Sequence, residues 1–257
     1  MDPLITQITP HLKSLRLSGI LETLEARTRQ ATDESWSYNE FLARLLEDEV
    51  ARRAQKQFAQ RVRRAGIATT KTLATFDFAF NPTVNRQQVR TLAAGDFVRD
   101  RRNVILCGPT GVGKSHLAQA LAHEACILGF QVLFIQTHKM LAHLHGGRAD
   151  GSYERRLQTY LRPDLLVLDD FGLRPLQGHG PEDLYEVIDA RYESGSIVLT
   201  SNRAPAEWAE VFHDPLLASA GLDRLLHHAD VMVITGDSYR ARDRVALQSE
   251  PEVIITP

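Results

Sequence analysis

The stretch Gly108-Pro109-Thr110-Gly111-Val112-Gly113-Lys114-Ser115 sits between a short apolar run, Asn103 to Cys107, and a segment of helical character, Lys114 to Leu128. A strand, a glycine-rich turn and a helix in that order constrain a fold more than any other feature of this chain. Gly108, Gly111 and Gly113 let the backbone curl so that successive N–H groups point inward at an anion. The helix start adds partial positive charge at the same point. Lys114 adds a full charge for the β- and γ-phosphates of a nucleotide, and the Ser115 hydroxyl is a ligand for Mg²⁺. His116 follows directly and is grouped with the loop as a nucleotide contact.

Downstream, the chain alternates short apolar runs with helical segments. The runs are Val104–Cys107, Val132–Ile135, Leu165–Leu168, Ile197–Thr200 and Val231–Ile234. They suit strands buried on both faces, which predicts an α/β domain with a mostly parallel sheet of five strands between helices. Such sheets present ligands at the carboxyl ends of their strands. Leu165-Leu-Val-Leu runs into Asp169 and Asp170. Asp169 is therefore expected beside Ser115, holding Mg²⁺. Asp170, expected to point the other way along the pleat, takes the water-activating role. Asn202, after Ile197-Val-Leu-Thr-Ser, is placed to hydrogen-bond the attacking water and the γ-phosphate.

The first 65 residues read as helical. Leu12, Leu15, Leu21 and Leu24 form one apolar pattern, with Gly19 inside it; Phe41, Leu42, Leu45, Leu46 and Val50 form another. Gly66 ends the run, so a small helical domain, 1–66, is expected before the α/β domain, 67–257. The aromatic cluster Phe76, Phe78 and Phe80 belongs to the second domain because three aromatics want burial. Phe76 and Phe78 are candidates for a base pocket.

Charge matters locally. Thirty Lys+Arg against 32 Asp+Glu leave a formal net charge of −2, so whole-chain charge does not announce a nucleic-acid binder. Yet Ala51 to Arg64 carries Arg52, Arg53, Lys56, Arg61, Arg63 and Arg64 and no acid. Such a segment can follow a DNA phosphate backbone without reading sequence. Lys139 is a further candidate for DNA contact, as are Arg148, Arg155 and Arg156. Two cysteines, Cys107 and Cys126, exclude a disulfide framework. No apolar run is long enough to span a membrane and no secretory signal is read, so a cytoplasmic protein is expected. His138, His143 and His145 lack a carboxylate or cysteine at ligand spacing and read as surface or hydrogen-bonded histidines.

The phosphate loop, Leu165–Gly172 with its double Asp, Thr200-Ser-Asn202 and Asp237-Ser-Tyr-Arg240 together resemble the helicase-loader branch of the AAA+ ATPases. Within it, the chain is most similar to the IstB-like family of insertion-sequence transposition helpers. The resemblance extends to Leu12–Leu24 and Glu47–Arg53 and covers nearly the whole chain. It implies a P-loop NTPase that uses ATP and Mg²⁺, with Lys114 and Ser115 on phosphate and metal, Asp169 on the metal, Asp170 on water and Asn202 as first sensor. Arg224 matches the position of an arginine finger reaching a neighbouring subunit's nucleotide; a salt bridge with Asp223 or another neighbour is the competing reading. Arg240 is a candidate second sensor, although no C-terminal helical lid is read. The implied function is assembly on duplex DNA as a homo-oligomer with nucleotide at subunit interfaces. A transposase of the same element is recruited or activated, and hydrolysis drives disassembly. A replicative helicase loader of the DnaC type is the nearest alternative. A small-molecule kinase would need an acceptor pocket and lid arginines that are not read here, and a passive ATP-switched adaptor would bind without hydrolysing.

Overall fold

A computed structural model describes residues 3–212 and 214–241. The chain separates into two compact units, Met1–Gln60 and Arg61–Pro257. The division falls inside one continuous helix, where the sequence pointed to Gly66 at its end.

The first unit comprises helices α1 (Pro3–Ser14), α2 (Ser18–Asp33) and most of α3 (Tyr38–Ala65). Leu12, Ile20, Leu24 and Leu45 form its core, with Ile5, Leu17, Leu21 and Phe41 packed against them. The leucine pattern expected to be one helix is broken between α1 and α2: Arg16 takes the left-handed conformation (φ 56°) and Leu15 is exposed. Gly19 explains the break. A Cβ there would lie 2.7 Å from Asp48 O and Glu49 Cα, so α2 starts where it can touch the α3 backbone. Glu49 Oε2 then accepts from the N–H groups of Gly19 (2.6 Å) and Ile20 (3.3 Å), doing from another helix what an N-cap side chain does locally. Leu42, Leu46 and Val50 of the second pattern are exposed, and only Leu45 of that pattern is fully buried.

The second unit begins with the last turn of α3. Arg61 Nε donates to Cys126 O at 2.9 Å, and Gly66, at φ 71°, ends the helix in the left-handed manner. After α4 (Arg86–Ala93) and the short α5 (Asp96–Arg99) come β1 (Val104–Cys107), α6 (Lys114–Ile127), β2 (Val132–Gln136), α7 (Thr137–Asp150), α8 (Tyr153–Leu161), β3 (Leu165–Phe171), α9 (Gly180–Arg191), β4 (Ser196–Ser201), the short α10 (Ala209–Phe212), α11 (Pro215–Leu226) and β5 (Asp230–Val233). The strands form one five-stranded sheet in the order β2-β3-β4-β1-β5, parallel throughout. Ile105, Leu166, Leu168, Ile197 and Leu199 pack on residues of α7, α8, α9 and α11. Their buried alternates Val104, Leu106, Leu165, Val167 and Val198 point to the other face, which α6 covers.

Arg191 ties this unit together. It is 2% exposed, and its guanidinium donates to the carbonyls of Tyr160, Leu161, Pro163, Asp164 and Ser196. Burial lowers its pKa to about 10.

Candidate phosphate site

The carboxyl ends of β1, β3 and β4 meet at the loop between β1 and α6. Each loop glycine is in the left-handed region: Gly108 at φ 147°, Gly111 at 89° and Gly113 at 103°. Close packing demands them as well. A Cβ on Gly108 would lie 1.9 Å from Ile234 O, one on Gly111 2.1 Å from Ser238 Oγ, and one on Gly113 2.7 Å from the Phe76 ring. The Gly108 N–H donates to Ser201 O (3.2 Å), so this glycine serves approach to the sheet.

Lys114, at the start of α6 and 6% exposed, donates from Nζ to Gly108 O (2.8 Å) and Pro109 O (2.7 Å). Burial lowers its pKa, and the charges of Asp170 and Asp169 oppose that. Ser115 Oγ donates to Asp169 Oδ1 at 2.8 Å, and Thr200 Oγ1 donates to the same oxygen at 2.5 Å. Asp170 departs from the expected pleat alternation. It sits at φ 57° where β3 and β4 lose register, because its N–H turns to Thr200 Oγ1 (3.0 Å). Its Oδ2 accepts from Gln136 Nε2 at 3.2 Å.

Asp170, Asn202, Arg240, Lys114, Ser115, His116 and the loop from Thr110 to Gly113 line one cavity of about 430 Å³. Its other walls include Phe76, Phe80 and Tyr239, with Phe80 and Tyr239 edge-to-face at 5.0 Å, and the polar residues Thr70, Lys71, Thr75, Asp77 and Asn81. Phe78 is not in the wall; it packs on Phe76 and under Arg86. Asp170 also lines a larger cavity of about 680 Å³ with His138 and Arg174. That one lacks the phosphate loop, whereas the smaller is lined by the loop, Lys114 and Arg240. Its donor set fits the expected cofactors: a lysine and loop amides for phosphate, and a hydroxyl and a carboxylate on one oxygen pair for a hard cation.

The sequence profile of the IstB-like ATP binding protein family matches residues 10–246. The chain belongs to this family. An insertion-sequence ATP-binding protein of Mycobacterium tuberculosis is 42% identical over 234 residues, covering 91% of this chain and 93% of its own. A crystal structure of the DnaC helicase loader matches with TM-score 0.52 at 24% identity, covering 65% of this chain and 97% of that one. AMPPCP-bound DnaA from Aquifex aeolicus matches with TM-score 0.53 at 19% identity, covering 73% of this chain and 58% of that one. The fold is that of the AAA+ P-loop ATPases.

Other expected residues of this IstB-like chain lie elsewhere. Arg224 on α11 is outside the phosphate cavity; its Nε pairs with Asp189 at 2.8 Å, a different partner from Asp223. In the basic stretch Arg52 pairs with Glu22 (3.2 Å), Arg53 with Glu49 (2.6 Å), and Arg61 turns inward to Cys126. Lys56, Arg63, Arg64 and Lys139 are exposed. Arg148 pairs with buried Asp183, and Arg156 bonds His143 O and Asp150.

Sequence reasoning missed three contributors. Thr200, 1% exposed, orients both acids. Thr137 Oγ1 donates to Asp169 O at 3.0 Å. Asn81, which precedes Pro82, is buried and donates from Nδ2 to Val112 O at 3.2 Å. A polar residue closing an apolar strand was the available signal for Thr200; nothing local marked Asn81.

Proposed function

We propose that this IstB-like chain is a Mg²⁺-dependent ATPase that assembles on duplex DNA as an oligomer and recruits or activates the transposase of its element, hydrolysis driving disassembly. The observation that carries the reading is that Lys114, Ser115, Asp170 and Asn202 line one cavity at the loop, with Asp169 bonded to Ser115 and Thr200 beside it. Lys114 and the loop amides hold the phosphates, and Arg240 reaches the same cavity. Ser115 and Asp169 hold Mg²⁺, which when bound neutralises charge on the phosphates. Asp170 and Asn202 orient the attacking water. Arg224 acts in trans, exchanging Asp189 for a neighbour's nucleotide. Exposed Lys56, Arg63, Arg64 and Lys139 support the DNA contact.

The test is ATPase activity and particle size measured together, with and without duplex DNA. DNA-stimulated turnover with ATP-dependent growth in size is expected. ATP binding with no turnover under any condition leaves only a switched adaptor. The likeness to the DnaC loader keeps one second reading: co-purification with a hexameric helicase, and with no transposase, would replace the partner proposed here.

A further inference from the structure

His116 is two residues past the loop lysine, and its Nε2 meets the segment Thr72–Thr75. Nε2 lies 3.0 Å from Thr72 O and 3.3 Å from Thr75 Oγ1. A carbonyl only accepts, so Nε2 carries the proton and donates to Thr72. The ring also meets Phe76 edge-on, with centroids 5.3 Å apart at 87°. Gly113, one turn earlier on the same helix start, leaves room for the other side of Phe76. The segment these contacts hold, Thr70 to Phe80, supplies Thr70, Lys71, Phe76 and Phe80 to the wall of the phosphate cavity.

Anchors elsewhere hold the ends of this strap. Ala68 N–H donates to Gln119 Oε1 of α6 (3.0 Å), and Asn81 Nδ2 to Val112 O (3.2 Å). Between them, His116 and the Phe76–Gly113 contact tie its middle to the helix. The cavity thus has two chemistries. The phosphate end is built on α6 and the loop. The aromatic end is built on a strap whose middle is tied to α6 by the His116 N–H and by the contacts of Phe76. The loop with Lys114 suits a triphosphate, and the aromatic side chains suit a nucleoside.

We propose that His116 is a positioning residue: it latches the Thr70–Phe80 strap over the start of α6 and so sets affinity for the nucleoside part of the ligand, not for its phosphates. This rests on the reading of the cavity as a nucleotide site.

The full chain carrying His116→Ala or His116→Gln is compared with wild type by displacing a fluorescent ATP analogue with ATP and, separately, with inorganic tripolyphosphate, Mg²⁺ present throughout. Loss of one hydrogen bond predicts ATP binding about fivefold weaker in H116A. Tripolyphosphate is expected to bind as in wild type. H116Q, which keeps an N–H near the Nε2 position, recovers most of the ATP affinity. Should H116A not fold, H116F keeps the ring without the donor and is read the same way. Unchanged ATP affinity in the donor-less variant overturns the latch. So does equal weakening of ATP and tripolyphosphate, or a Gln variant no better than Ala. Lys114→Ala separates this from failure of the underlying reading: it weakens both ligands if the cavity binds phosphate, and a wild-type chain that binds neither ligand removes the site and the latch together.

Discussion

At the scale of single residues, the acids of the site are held by a threonine. Thr200 donates to Asp169 and accepts from the Asp170 N–H, both inside the protein. Thr200→Val keeps the shape and removes the hydroxyl. A buried hydrogen bond to a charged group is worth about 1.5–3 kcal/mol, so the variant is expected to lose about 2 kcal/mol of stability in denaturant titration. Its ATPase activity should fall about tenfold or more, because the Asp169 carboxylate and the Asp170 backbone N–H lose their common partner. A variant with full turnover would show that the acids keep their orientation without it. Asp169, Lys114 and Ser115 were legible because their side chains follow a fixed pattern along the chain. Thr200 was not, because its importance comes from standing across a strand pair from Asp169.

At the scale of elements, the meeting of α2 with α3 combines close packing and charge. Gly19→Ala forces a Cβ against the α3 backbone, and overpacking of this kind costs about 1–3 kcal/mol. Thermal unfolding of the variant should show the loss at neutral pH. The same junction makes the helical unit acid-sensitive. Arg27 grips Asp48 with two bonds of 2.8 Å and lowers its pKa from 3.8 to about 2. Burial pushes Glu49 up, but bonds from Arg53, Gly19 and Ile20 outweigh it, and its pKa is lowered too. A carboxyl whose folded pKa lies below its unfolded value stabilises the fold above the unfolded pKa, and that contribution disappears as pH falls through the folded one. For Asp48 the window runs from pH 3.8 down to about 2. Asp48→Asn should flatten the stability profile there, measured by circular dichroism against pH. Strand positions were legible at this scale; the break between α1 and α2 was not, since Leu15 fits a helical pattern and only contact with α3 decides where α2 begins.

At the scale of the whole molecule, the basic stretch divides. Arg52, Arg53 and Arg61 have partners within the protein, while Lys56, Arg63 and Arg64 are exposed. Replacing Lys56, Arg63 and Arg64 by alanine should make the slope of log K for duplex DNA against log salt shallower by about 3, at about 0.9 per phosphate contact. Arg61→Ala should instead lower the melting temperature by loosening α3 from α6. An unchanged salt slope in the triple variant would move the DNA contact elsewhere. For the trans role of Arg224, mixing Arg224→Ala with Asp170→Ala protein should restore part of the ATPase activity. No rescue at any ratio would leave Arg224 as the partner of Asp189.

What the chain determines by itself is the order of strands and helices, the glycine loop and the acids at a strand end. Each of these is a matter of local period or of neighbours in sequence, and local propensity and apolar burial act over that range. Only the tertiary structure decided that Gly108 packs on Ile234, that His116 turns to Thr72, and that Arg61 turns inward to Cys126. Each of those outcomes depends on a partner tens of residues away along the chain, and contacts at that separation leave no period to read.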